Sequence, residues 1–211
     1  MRVVTCVTTR VAGENTRIPY MVSELVHSRR TFIRNTGIGL LTFYVSGCEV
    51  EMTPQEAREK QIAYSVLTDA EVSTLDSLGE ILLPGSAAVG LSHFVDHQLG
   101  AAPEEQLLMI KYLGVPAPFA PFYQDGLAAL NELSATHRSL PFAELTHADQ
   151  TELVGQFAQA NPDGWQGPPG PFFYFVLRND AVDVVYGTKD GIESLGIPYM
   201  AHIEPPSRWG E

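Results

Sequence analysis

From residue 67 onward, apolar positions recur with the spacing of helix faces, and residues suited to helix ends punctuate the pattern. Thr68-Asp69-Ala70-Glu71 is a capping-box string, in which the threonine oxygen and the glutamate carboxylate reciprocally satisfy backbone N–H groups left without partners at a helix start. Behind it Val72, Leu75, Leu78, Ile81 and Leu82 share one face, and Pro84-Gly85 stops the run. Leu91, Phe94, Val95 and Leu99 predict a second, short helix ended by Gly100, and Pro103 opens a third with Leu107, Leu108, Ile110 and Leu113. Pro121, at a first-turn position, opens a longer helix through Leu127, Leu130 and Leu133. Thr146 caps a fifth, with Asp149 in its first turn and Leu153, Val154 and Phe157 turned inward.

The loop from Asn161 to Pro171 is rich in helix breakers. The following stretch, Phe172 to Tyr186, is apolar enough for a buried helix, although its Phe, Tyr and Val content also fits a strand. From Tyr186 to Trp209 the chain holds three glycines, three prolines and three large aromatics with little periodicity. A structureless run of that length is disordered or docked, and Tyr186, Ile192, Leu195, Ile197, Pro198, Tyr199, Met200 and Trp209 make it too apolar for a solvated tail. It either wraps the domain's own core or lies against a partner chain, where aromatics and Met are enriched. With no alternating strand pattern and no Asn-Gly or Asp-Gly hairpin, the expected fold is all-α: a small, irregular helical domain over residues 67–211 with a long ordered C-terminal loop segment. Residues 48–66 form a linker ahead of it.

The front of the chain has a different character. Ser28-Arg29-Arg30-Thr31-Phe32-Ile33-Arg34 precedes an uncharged stretch, Asn35 to Gly47. Thirteen helical residues span about 20 Å, short of the roughly 30 Å of a bilayer core, so the stretch reads as a signal-peptide core rather than a membrane anchor. SRRTFIR resembles the twin-arginine consensus, in which Ser28, Arg29, Arg30 and Phe32 address the translocase; the alternative is an ordinary basic segment of a general secretory signal. Val45-Ser46-Gly47-Cys48 resembles a lipobox, which implies cleavage between Gly47 and Cys48 and acylation of the thiol; a chance cysteine is the other reading. Residues 1–47 thus read as an N-terminal extension plus signal, and Met21 fits the start of such a signal better than Met1.

Charge follows the same division. The chain has 211 residues and a formal charge of −12, with a pI near 4.8. Residues 1–47 carry six basic and two acidic groups, and the rest seven basic and 23 acidic, so a +4 leader precedes a −16 body. So acidic a body lacks the clustered Lys and Arg needed to release counterions from a phosphate backbone, and nucleic acid is not an expected partner. Two cysteines, Cys6 and Cys48, hold neither a disulfide scaffold nor a four-thiolate site, and no C-x-x-C-H haem attachment string occurs.

Cofactor motifs are similarly sparse. The nearest approach to a dinucleotide fingerprint, Gly37-Ile38-Gly39-Leu40-Leu41-Thr42, lacks the third glycine and lies inside the signal, so neither FAD nor NAD is expected on this chain. His93-Phe94-Val95-Asp96-His97 places two histidines one helical turn apart and resembles a zinc-peptidase string with Asp96 where glutamate is needed. Its shorter carboxylate favours two exposed histidines beside helix-face acids over a metal site, and no catalytic, cofactor or metal residue is assigned.

The signal, the opening LTDAEVSTLDSLGEILLPG of the helical body and, above all, VDVVYGTKDGIESLGIPYMAHIEPPSRW resemble the gluconate 2-dehydrogenase subunit 3 family over residues 28–211. The resemblance implies a non-catalytic small subunit that escorts and stabilises a folded, FAD-carrying large subunit of the glucose–methanol–choline type, exported by the twin-arginine translocase, with electrons often passed to a multihaem cytochrome c. It implies a periplasmic location at the inner membrane, held by lipid or by the complex. The Tyr186–Trp209 segment would clasp the large subunit. Some members are thought to link to the large subunit through cysteine, and none follows Cys48 here. The rival readings are an exported metal-dependent enzyme using His93, Asp96 and His97, and a lipoprotein that scaffolds a cytochrome.

Overall fold

A computed structural model describes residues 2–6, 41–45, 48–187 and 189–196. Among the described residues every regular element from Pro54 onward is helical, and the fold is all-α: α1 (Pro54–Glu59), α2 (Asp69–Leu82), α3 (Leu91–Gly100), α4 (Ala120–Arg138), α5 (His147–Gln159), α6 (Gly170–Tyr186) and α7 (Lys189–Ser194), with 3₁₀ turns at Met109–Leu113 and Phe142–Glu144. The capping box at Thr68 is formed in full: the threonine hydroxyl accepts from Glu71 N, and the Glu71 carboxylate accepts from Thr68 N at 2.7 Å. Thr146 caps α5 through Asp149 N, and Pro121 sits in the first turn of α4.

One core unites α2 to α6. Leu75, Leu78, Leu91, Val95, Tyr123, Leu127, Leu130, Leu153, Phe157, Phe173 and Leu177 have no measurable exposure. The segment left open between helix and strand is helical. Over α6 the buried positions Phe173, Val176, Leu177, Asp180, Ala181 and Val184 recur at helical period, and a helix enclosed by neighbours can be apolar on most of its circumference. Gly126 lets α4 and α6 approach, since a Cβ there would collide with the Phe173 ring.

Three local expectations are corrected. No helix begins at Pro103: the chain turns at Pro103–Glu105 and forms only the 3₁₀ turn Met109–Leu113. Its backbone donors are taken by side chains from elsewhere, Leu107 N by Gln98 Oε1 (2.7 Å) and Met109 N by Asp180 Oδ1 (2.8 Å), so helical bonding is not needed to satisfy them. The C-terminal run includes the short helix α7. Ahead of the helical body lies a small antiparallel sheet, order β1-β3-β2, from β1 (Arg2–Cys6), β2 (Leu41–Val45) and β3 (Cys48–Met52).

That sheet and α1 occupy the stretch expected to be signal core and linker. Leu41, Phe43, Val50, Met52 and Ala57 form a second, smaller core, with Ile62 and Phe94 packed against it. Gly90, at φ +89°, caps α3 where a Cβ would strike the Pro54 carbonyl, so α1 and α3 meet backbone to backbone. Among the described residues, no helix is long and apolar enough to cross a membrane.

Candidate functional site

The constellation His93, Asp96 and His97 does lie on one helix, α3, but its three members are spent on different neighbours. His93 and Asp96 are buried, at 3% and 4% exposure, which corrects the expectation of exposed histidines. The reason is their hydrogen bonding. Asp96 Oδ1 accepts from Val66 N and Leu67 N, and Oδ2 from Ser65 N, each at 2.8 Å, with Ser65 Oγ at 3.1 Å. A carboxylate taking four donors is fully engaged in fastening residues 65–67, just before α2, to α3.

His93 completes the same fastening one turn earlier. Its Nε2 lies 3.1 Å from the Ile62 carbonyl, which can only accept, so Nε2 carries the proton and donates; Nδ1 then accepts from the Tyr64 hydroxyl at 3.2 Å. Burial holds the imidazole below its ordinary pKa, so the neutral form that this pattern needs is favoured. The rings of Tyr64 and His93 are 4.4 Å apart, and burial, helped by nearby Asp76, pushes the Tyr64 hydroxyl up to about 12. His97 instead sets its ring 5.0 Å from that of Phe43 on β2.

Beside this staple opens a cleft of about 790 Å³ lined by Arg58, Gln61, Tyr64, Thr68, Asp69 and His93, among others. Arg58 pairs with Asp76 at 2.5 Å, whose other oxygen accepts from Ser92 at 2.6 Å. The polar groups here satisfy one another: Tyr64 holds its proton, His93 is fixed in one tautomer, and Ser92 donates to a carboxylate that Arg58 neutralises. To ligate a metal, His93 and Asp96 would have to abandon Ile62, Tyr64 and residues 65–67. Among the described residues, no three His, Cys, Asp or Glu side chains are grouped to hold a metal ion.

A second polar cluster escaped the sequence analysis. Asp180 of α6 is completely buried, and its carboxylate accepts from the Tyr123 hydroxyl at 2.7 Å and from Met109 N at 2.8 Å. Burial outweighs these two donors and pushes the Asp180 carboxyl up to about 7; the same burial holds Tyr123 well above its usual value. The signal for it was present: counted from Phe173, Asp180 falls on the inward face of an otherwise apolar helix, a place where an acid needs dedicated partners.

Of the predicted partner-binding residues, Tyr186 ends α6 and Ile192 lies in α7, both half-buried, and Leu195 is 51% exposed. Ile197, Pro198, Tyr199, Met200 and Trp209 lie outside the described residues, as do Ser28, Arg29, Arg30, Phe32 and Gly47; Cys48 begins β3. Sequence reasoning also missed an exposed apolar turn, in which Leu107, Tyr112 and Leu113 are 53%, 64% and 38% exposed.

Compared with known proteins, residues 69–201, more than half of the chain, match the family model described as gluconate 2-dehydrogenase subunit 3. No curated relative and no solved structure matches.

Proposed function

Because the chain belongs to the gluconate 2-dehydrogenase subunit 3 family, and is therefore an accessory subunit of a multi-subunit dehydrogenase complex, we propose that it is the non-catalytic small subunit of an FAD-dependent sugar or polyol dehydrogenase. It escorts the folded flavoprotein through twin-arginine export and stabilises it on the periplasmic side of the inner membrane. The family match over the helical body carries this reading, and SRRTFIR at residues 28–34 supplies the export route. In this scheme the large subunit, of the glucose–methanol–choline type, holds FAD and performs the oxidation, a multihaem cytochrome c accepts the electrons, and Cys48 is acylated after cleavage behind Gly47.

The staple geometry agrees with a structural role. His93, Asp96 and Tyr64 hold α3 against residues 62–67, and each would have to be released before it could act on a substrate. Replacing Arg29 and Arg30 by lysine should strand both this chain and the dehydrogenase activity in the cytoplasm. If the catalytic subunit still reaches the periplasm in that variant, the escort role is wrong. Metal analysis of the purified chain tests the rival enzyme: a stoichiometric transition metal that disappears in His93→Ala would favour it.

A further inference from the structure

Between Glu105 and Asp125 the chain carries one charged side chain, Lys111, although the body as a whole is strongly acidic. Within that stretch the inward and outward positions are both apolar. Leu108 and Ile110 are fully buried, while Leu107, Tyr112 and Leu113 face out, followed by the exposed Pro116, Ala117 and Pro118. The lone cation does not interrupt this surface. Lys111 Nζ is folded back onto the carbonyls of Glu104 (2.6 Å) and Gln106 (2.9 Å) and stands 5.8 Å from the centre of the Tyr112 ring.

The surface is also held in place at a cost. Its turn is fastened from below by Asp180, whose burial is expensive and whose carboxylate accepts from Met109 N, and from the side by Gln98 through Leu107 N. Spending a buried acid to fix the backbone under three exposed apolar side chains is what a preorganised binding surface needs, because the ordering entropy is met before the partner arrives. The other exposed large apolar side chains among the described residues are dispersed along the chain: Leu140 follows α4, Leu195 follows α7, and on α6 Phe175 is followed at the next turn by Arg178 and Asn179.

We propose that the 107–118 turn is the surface on which the catalytic subunit of the same dehydrogenase docks, with Leu107, Tyr112 and Leu113 entering an apolar, uncharged recess of that subunit. This rests on the reading of the chain as the small subunit of a flavoprotein complex. A second copy of this chain is the less suitable occupant, since it would bring another strongly acidic body against the first. Charge depletion with an exposed Tyr between two Leu matches the composition of interface centres rather than rims.

The test uses the complex isolated from cells through a tag on the full-length chain. Leu107→Ser/Tyr112→Ser/Leu113→Ser should lower the recovered flavoprotein by about tenfold or more, with the thermal midpoint of the isolated chain unchanged, whereas Phe175→Ser should leave recovery at the wild-type level. A photo-crosslinker at position 112 should join the chain to the flavoprotein. Tyr112→Lys, a single change at the most exposed of the three, provides the same readout if the triple variant folds poorly. Undiminished recovery in Tyr112→Lys, a loss confined to Phe175→Ser, or a crosslink only between copies of this chain would each overturn the proposal. If the wild-type chain brings down no flavoprotein at all, the reading of function fails, and the docking surface fails with it.

Discussion

The two cores of this protein are built differently. The main one joins α2 to α6 through buried aromatic and aliphatic side chains, including the stacked pair Phe157 and Trp165 with ring centres 5.3 Å apart and Phe173 beside both. The satellite core unites Leu41, Phe43, Val50, Met52 and Ala57 under a three-stranded sheet. Phe94 of α3 packs against both. The family match begins at residue 69, so it covers all the buried residues of the first core but Leu67 and none of the buried residues of the second. The comparison teaches that the part of the chain the family model covers is the helical body, while the sheet and α1 rest with their own small core against α3.

If that division is right, equal chemical losses should have unequal consequences. Phe157→Ala opens a cavity in the main core and should cost about 3–5 kcal/mol in thermal or denaturant unfolding of the whole domain. Phe43→Ala removes the same ring from the satellite and should leave that global transition nearly where it was. Comparable losses from the two would mean that the cores unfold as one. Next in size is Asp96→Ala, which takes the acceptor from three backbone N–H groups and the Ser65 hydroxyl. With part of that segment open to water, about 2–4 kcal/mol is expected. Amide exchange at residues 65–67 should quicken before the main core is affected, and unchanged protection there would remove Asp96 from its fastening role.

The Asp180 cluster sharpens the contrast from the body's side, because a buried acid makes stability depend on pH. An acid pushed up in the folded state is more protonated folded than unfolded, so folding is favoured as pH falls. The gain is complete below the ordinary carboxyl value of about 4 and is lost as pH rises through the folded value of about 7. Asp180→Asn stays neutral and can still accept from Met109 N while its amide donates to the Tyr123 oxygen. It should match wild type near pH 4 and exceed it by up to a few kcal/mol at pH 8, as read by denaturant midpoints. Parallel curves across that range would mean that Asp180 does not titrate there.

The helical body was legible because its signals are local. Capping boxes at Thr68, the first-turn proline at Pro121 and the 3.6-residue spacing of Leu75, Leu78 and Leu82 act within single elements. What failed depends on distant partners. Pro103 and the leucines after it mimic a helix start, but Gln98 and Asp180 take the backbone donors of Leu107 and Met109 from 9 and 71 residues away. His93 looked like half of a metal site because its spacing to His97 is visible in sequence, whereas Ile62 and Tyr64, its true partners, are not. The strands were hidden for a similar reason: Leu41 to Val45 is part of a longer uncharged run, and only pairing with Cys48–Met52 reveals its alternation, with Leu41 opposite Met52 and Phe43 opposite Val50.

The satellite core also puts the proposed export signal to a structural test of small expected size. Cleavage behind Gly47 would remove β1 and β2 and with them Leu41 and Phe43, leaving Val50, Met52 and Ala57 without their cover. The chain begun at Cys48 should then lose protection from amide exchange around Ala57 and Ile62 while the helical body persists. Its thermal midpoint should shift by no more than about 2–4 °C, the equivalent of about 1 kcal/mol for a chain of this size. A much larger drop would make the sheet a working part of the domain and argue against its removal in the mature protein. Intact mass of the chain isolated from the periplasm decides the same point independently: a species starting at Cys48 and carrying acyl mass requires that the body stand without β1 and β2, whereas a chain retaining residues 41–47 keeps Phe43 against His97 and leaves Cys48 inside β3 rather than at an acylated N-terminus.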